Sequence, residues 1–227
     1  MKLKIKISTA IFSCLLFFFA ISATAQDVKE NLGSFSEVKT FNAVEVEIIP
    51  AEENRIVITG HSKNDVKYEI VGDRLEIRLS LDNIWSKNNT RITLYTSDLK
   101  TIDANEGSLV EVSDELRGEE LTFRVQEGAV IEGKVKGRKI NSKSISGGRI
   151  TLKGEAEEQE VETNTGGQYL GKNLRTQRTD VTAGTAGRAE IHAKDYVKAT
   201  AKLGGTVEIF GRPGEVDKKT TLGGKIL

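Results

Sequence analysis

The sequence predicts an all-β chain: a single-stranded parallel β-helix of about 19 residues per coil, preceded by additional N-terminal strands. Three observations predict it. Short apolar-polar alternations dominate, as in Val44-Glu45-Val46-Glu47-Ile48 and Leu75-Glu76-Ile77-Arg78-Leu79, the pattern of half-buried strands. Beyond the leader no window longer than two turns carries a helical stripe. Glycine-centred corners recur at Gly107, Gly128, Gly147, Gly166, Ala186-Gly187, Gly204 and Gly223, in steps of 21, 19, 19, 20, 18 and 19 residues. A Gly-rich antiparallel sandwich also spaces its turns regularly and stands as the alternative.

Residues 1–25 read as a secretory signal peptide. Lys2, Lys4 and Lys6 open it, an apolar run extends from Ile7 to Ile21, and Ala23-Thr24-Ala25 supplies the small-x-small pattern. Cleavage is expected between Ala25 and Gln26. The run is shorter than the roughly 20 residues that span a bilayer, so no transmembrane span is expected after cleavage; an uncleaved anchor is the competing reading. Cys14, the only cysteine, leaves with the leader, so the mature chain relies on burial and backbone pairing rather than disulfides.

Residues 26–227 read as one domain: N-terminal strands and cap over 26–98, then glycine-cornered coils over 99–227. Val71-Gly72-Asp73-Arg74 sits between two alternating runs as a hairpin turn. Aligned on the corners, the later segment resolves into columns. Three residues after the corner stand Val110, Ile131, Ile150, Tyr169, Ala189, Val207 and Ile226; five before it stand Ile102, Phe123, Ser142, Val161, Val181 and Ala199. Stacked parallel coils about 4.8 Å apart bring such columns together, so like residues pack on like. The column four before the corner runs Asp103, Arg124, Lys143, Glu162 and faces outward, where alternating charges can pair between coils.

The chain resembles the family described as putative auto-transporter adhesin, head GIN domain. The likeness runs from about Phe35 to the end and rests on Phe41-Asn42-Ala43-Val44, Asp73-Arg74-Leu75-Glu76-Ile77, Leu99-Lys100-Thr101-Ile102, Ser146-Gly147-Gly148-Arg149-Ile150 and Val207-Glu208-Ile209-Phe210-Gly211-Arg212-Pro213. The resemblance implies a right-handed parallel β-helix preceded by extra strands, in an exported protein. It implies little biochemistry, since a fold label carries no ligand or catalytic set.

Basic and acidic residues balance at 33 each, which gives no support to nucleic-acid binding. One cysteine and two histidines cannot build a Cys/His metal site, and no cofactor is implied. The candidates for ligand binding are outward charges. Glu160 and Asp180 fall one coil apart in the column six before the corner, with Glu162 two residues along and Arg178 close by. Three such carboxylates suit Ca²⁺ or an acid-base pair, and equally a solvated charged face. Trp85, in a polar loop, either stacks on a sugar or covers a core edge. The favoured reading is a non-enzymatic secreted or cell-envelope protein for adhesion, surface interaction or assembly, with glycans or envelope proteins as partners. Carbohydrate binding or action on polysaccharides is the alternative. A homo-oligomer through a solenoid end is a further expectation, because an uncovered strand edge invites pairing.

Overall fold

The computed structural model describes residues 27–60, 63–80 and 90–227. Among them every regular element is a strand, apart from one 3₁₀ turn at Lys63–Asp65. The chain forms a parallel β-solenoid of about 7 turns spaced about 19 residues apart, with extra N-terminal strands.

The N-terminal part comprises β1 (Val28–Asn31), β2 (Glu37–Phe41), β3 (Glu45–Pro50), β4 (Arg55–Thr59), β5 (Val66–Val71), β6 (Arg74–Leu79), β7 (Arg91–Thr96) and β8 (Thr101–Ala104). The coils follow as β9 (Leu109–Val125), β10 (Val130–Ser144), β11 (Arg149–Thr163), β12 (Gln168–Ala183) and β13 (Arg188–Lys202). The last described turn is divided into β14 (Thr206–Gly211), β15 (Glu215–Thr221) and β16 (Lys225–Ile226). Successive coils pair in parallel, and the column after the corner is in register throughout: Val110 opposite Ile131, Ile131 opposite Ile150, then Tyr169, Ala189, Val207 and Ile226. All but Ile226 are buried. No coil could bury this face alone, so the stack is the cooperative unit.

The corners explain the glycine period in two ways. Each is a two-residue turn with both central residues at positive φ: Glu106 and Gly107 at 53° and 72°, Ser146 and Gly147 at 49° and 74°, Leu203 and Gly204 at 51° and 75°. The turn closes by an amide donating three residues back, as from Gly148 N to the Ile145 carbonyl at 2.9 Å. That is type I′ geometry, which glycine enters without a Cβ penalty. The following glycine answers a different need. A Cβ on Gly167 would lie 2.0 Å from the Ser144 carbonyl oxygen of the previous coil, so the side chain is excluded by close approach.

One layer lies out of sequence order. β2 is hydrogen-bonded between β6 and β8, with Val38 opposite Leu75 on one side and Ile102 on the other. β3 likewise lies between β7 and β9, with Val46 opposite Ile92 and Val110. The two strands meet at Asn42 and Ala43, both at positive φ, which form a corner of the same kind without glycine. β4 and β5 then cover β7 and β6 in antiparallel fashion, and β1 lies outside β4. The hairpin turn at Gly72-Asp73 is present, with Val71 opposite Arg74.

The core is one continuous cluster whose filling changes along the axis. Around β9 and β10 it holds Leu121, Phe123 and Ile140, all fully buried. Around β11 to β13 one column continues as Gln159, Thr179 and Val197, and the other, past Ser142 of β10, as Val161, Val181 and Ala199.

Candidate functional site

The outward face of β10 to β13 carries the charged residues singled out from the sequence. Glu160 and Asp180 are direct register partners on β11 and β12. Each is answered by a lysine: Lys139 Nζ lies 3.3 Å from Glu160 Oε2, and Lys198 Nζ 2.8 Å from Asp180 Oδ2. The hydrogen bond from Lys198 to Asp180, reinforced by the carboxylate's charge, holds the Lys198 ammonium above the ordinary lysine value. Glu162 pairs with Lys143 at 3.0 Å and does not line the groove beside Glu160. The three carboxylates are thus distributed among three lysines. Among the described residues no cluster of three or more His, Cys, Asp or Glu is arranged to hold a metal ion.

Arg178 lies in the same strand as Asp180, opposite Glu158 on β11 and Tyr196 on β13. Its guanidinium sits 4.8 Å from the centroid of the Tyr196 ring, a stacked cation-π pair. Lys139, Glu160, Arg178, Asp180, Tyr196 and Lys198 surround a shallow groove of about 230 Å³. Sequence reasoning missed Lys139, Lys198 and the aromatic member, Tyr196. Its register with Arg178 depends on where the coils slip against each other, between Thr176 and Arg178, and the corner spacing does not reveal that slip. Trp85, Ala25 and Gln26 lie outside the described residues.

A second, larger groove of about 530 Å³ runs along the middle of the coils, between Lys136, Glu155, Arg175 and His192. Glu155 accepts from Arg175 Nη2 at 2.9 Å, with Lys136 at 4.0 Å. Beneath its floor begins a buried polar chain. The Thr176 hydroxyl meets that of Thr179 at 2.9 Å, Gln159 Nε2 donates to both threonines at 3.3 and 3.0 Å, and the Tyr169 hydroxyl donates to Gln159 Oε1 at 2.8 Å. Tyr169 is fully buried, and burial pushes its phenol pKa far above the usual value. The chain braces both grooves from inside, because Thr176 lines one and Gln159 and Thr179 line the other.

Asp103, placed in the outward column by its phase, is covered rather than open: Lys39 of the inserted layer lies 3.2 Å away and Asn105 Nδ2 donates to it at 2.9 Å. Chemically, the face offers alternating fixed donors and acceptors at the coil spacing. Such a surface holds a polar partner by many weak contacts.

The family model described as "Putative auto-transporter adhesin, head GIN domain" matches residues 34–213. A search of curated proteins finds no match. Similar solved structures include a putative adhesin from Bacteroides fragilis, with TM-score 0.79 and 15% identity over 88% of this chain and 95% of that one. Another, from Parabacteroides distasonis, has TM-score 0.73 and 18% identity over 88% and 95% of the two chains. A third, from Parabacteroides merdae, has TM-score 0.63 and 18% identity over 89% and 95%. At these identities the likeness is one of fold.

Proposed function

Because the chain belongs to the putative auto-transporter adhesin, head GIN domain family, we propose that it is an exported, non-enzymatic surface-interaction protein. Its binding element in this reading is the charged face around Arg178 and Tyr196. The family's adhesin description and the paired geometry of the face support this reading. Glu160 and Asp180, the carboxylates best placed for acid-base work, are both bound to lysines. General acid-base chemistry needs a carboxyl group free to exchange its proton with substrate, whereas recognition is served by neutralised pairs beside a stacked Arg-Tyr platform. Export follows from the basic start, apolar run and Ala23-Thr24-Ala25 site of the leader. No helix among the described residues is long and apolar enough to cross a membrane.

The partner class that fits the face is an extended polar chain, such as a surface glycan, bearing hydroxyls and charges at repeated spacing. The test is a glycan array probed with residues 26–227 and with an Arg178→Ala, Tyr196→Ala variant. Binding by the native chain that falls at least tenfold in the variant is the expected result. Turnover of a bound glycan, or binding indifferent to both substitutions, would overturn it. N-terminal sequencing of the exported protein should begin at Gln26 or within a residue or two.

A further inference from the structure

The corner ridge changes character along the solenoid. The first turn residue is Glu106, then Glu127, Ser146, Thr165 and Thr185 in successive coils, and then Leu203 and Leu222. Leu203 is 50% exposed although coils flank it on both sides, and Leu222 is 75% exposed. The two lie in adjacent coils joined by the hydrogen bond from Gly204 N to the Leu222 carbonyl at 3.1 Å. Both sit at positive φ, 51° and 49°, which a bulky side chain enters only at a cost in backbone energy. Neither strain nor exposure helps the chain fold. Glycine would relieve the first and remove the second.

The surroundings of the leucines are basic. Lys202 precedes Leu203, Lys219 enters the next corner and Lys225 leaves it, while residues 199–206 and 218–227 contain no acidic side chain. None of these three lysines forms an ion pair among the described residues. The nearest acid along the outgoing strand, Glu208, is held by Arg188 at 3.1 Å.

We propose that the ridge of Leu203 and Leu222, with Lys202, Lys219 and Lys225 around it, is a contact edge for an anionic phospholipid surface. An exposed apolar wedge ringed by lysines matches the interfacial region of a bilayer, where the apolar side chains enter the acyl boundary and the ammonium groups meet lipid phosphates. Protein interfaces favour the opposite composition, since lysine is depleted from them and leucine is under-represented among their hot spots. The ridge is also convex, a tight turn tip, and a soft bilayer accepts such a shape without needing a matching pocket. The site is separate from the Arg178–Tyr196 face and does not depend on it.

The test is co-sedimentation of residues 26–227 with vesicles of phosphatidylcholine, with and without phosphatidylglycerol. The native chain should bind the anionic vesicles at least tenfold more tightly than the neutral ones. A Leu203→Gly, Leu222→Gly variant should lose at least tenfold of that binding while its unfolding midpoint stays equal or rises, which separates lost contact from lost fold. A Lys202→Glu, Lys219→Glu, Lys225→Glu variant should abolish the preference for anionic vesicles. Equal binding to both vesicle types, or binding unchanged by the glycine substitutions, would overturn the proposal. So would concentration-dependent self-association of the native chain that the glycine substitutions abolish, because a second copy would then be the occupant.

Discussion

Two stretches of one solenoid solve the same packing problem with different chemistry. In β9 and β10 the interior is filled by Leu121, Phe123 and Ile140. In β11 and β12 the stacked positions hold Gln159 and Thr179, joined to Tyr169 and Thr176, and β13 returns to Val197. Both keep positive-φ corners and parallel pairing, although the ladder slips more often between β12 and β13 than between β9 and β10. Backbone pairing and type I′ corners therefore define the coil, and the interior can pass from apolar to polar where the polar groups satisfy each other. The polar stretch gains direction-specific contacts and gives up tolerance, since every member depends on its neighbours.

Substitutions can break that contrast in order of size. Phe123→Ala should cost about 3–5 kcal/mol, because the apolar stretch loses transfer energy and gains a cavity; equilibrium urea unfolding measures it. Gln159→Leu should cost about 1–3 kcal/mol by stranding the Tyr169 hydroxyl, while Thr176 and Thr179 keep each other and the His192 carbonyl. Adding Tyr169→Phe should cost less than its single effect, because the orphaned hydroxyl is gone. A double-mutant cycle reads this coupling, and strict additivity would show that the network is not a unit.

The corners should respond the same way in both stretches. Gly147→Ala places a Cβ at a φ of 74° and should cost about 1–2 kcal/mol. Ala186, at 58°, is the corner among the coils where alanine takes the glycine position, so Ala186→Gly should be neutral or gain up to about 1 kcal/mol after the entropic cost of glycine. Unequal responses after correcting for contacts would mean that the corners are not equivalent. Lys143→Ala removes an exposed pair with Glu162 and should change stability by less than about 1 kcal/mol.

Alkaline titration sharpens the comparison from the N-terminal side. Burial, with the hydrogen bond to Glu30 and its charge, pushes Tyr68 from 10.0 up to about 12. The folded state therefore holds the phenol proton more tightly than the unfolded chain. That stability is fully present below pH of about 10 and is lost as pH rises through about 12. Tyr68→Phe should flatten the decline in this window, seen as a smaller loss of unfolding midpoint with rising pH.

Much of this was legible in the residues. The corner period located the coils, and counting six back from it placed Glu160 beside Asp180, as the register has them. The inserted β2–β3 layer was not legible as a coil, because Asn42 and Ala43 turn the corner without glycine and stacking order leaves no local trace. Gln159 and Thr179 continue the inward alternation of Val161 and Val181, but their polarity hides them as core residues. Thr176 lies beyond the slip between Thr176 and Arg178, so phase counted from a corner does not carry across to it.

The out-of-order layer also sets a sequence of events. From β9 onward each coil needs only the coil before it, so pairing can propagate as the chain emerges. β2 and β3 are different: Val38 must wait for Leu75 and for Ile102 before both of its edges are satisfied. A chain emerging N-terminus first thus presents two strands with unmatched edges until β6 to β9 have appeared on either side. Closing so long a loop is slow relative to adding a neighbouring coil. The earliest residues of the domain are then among the last to lock, and their docking converts a growing ladder into a finished object. In pulse-labelled hydrogen exchange during refolding, protection at Val38 and Val46 should lag protection at Ile150; simultaneous protection would remove the delay.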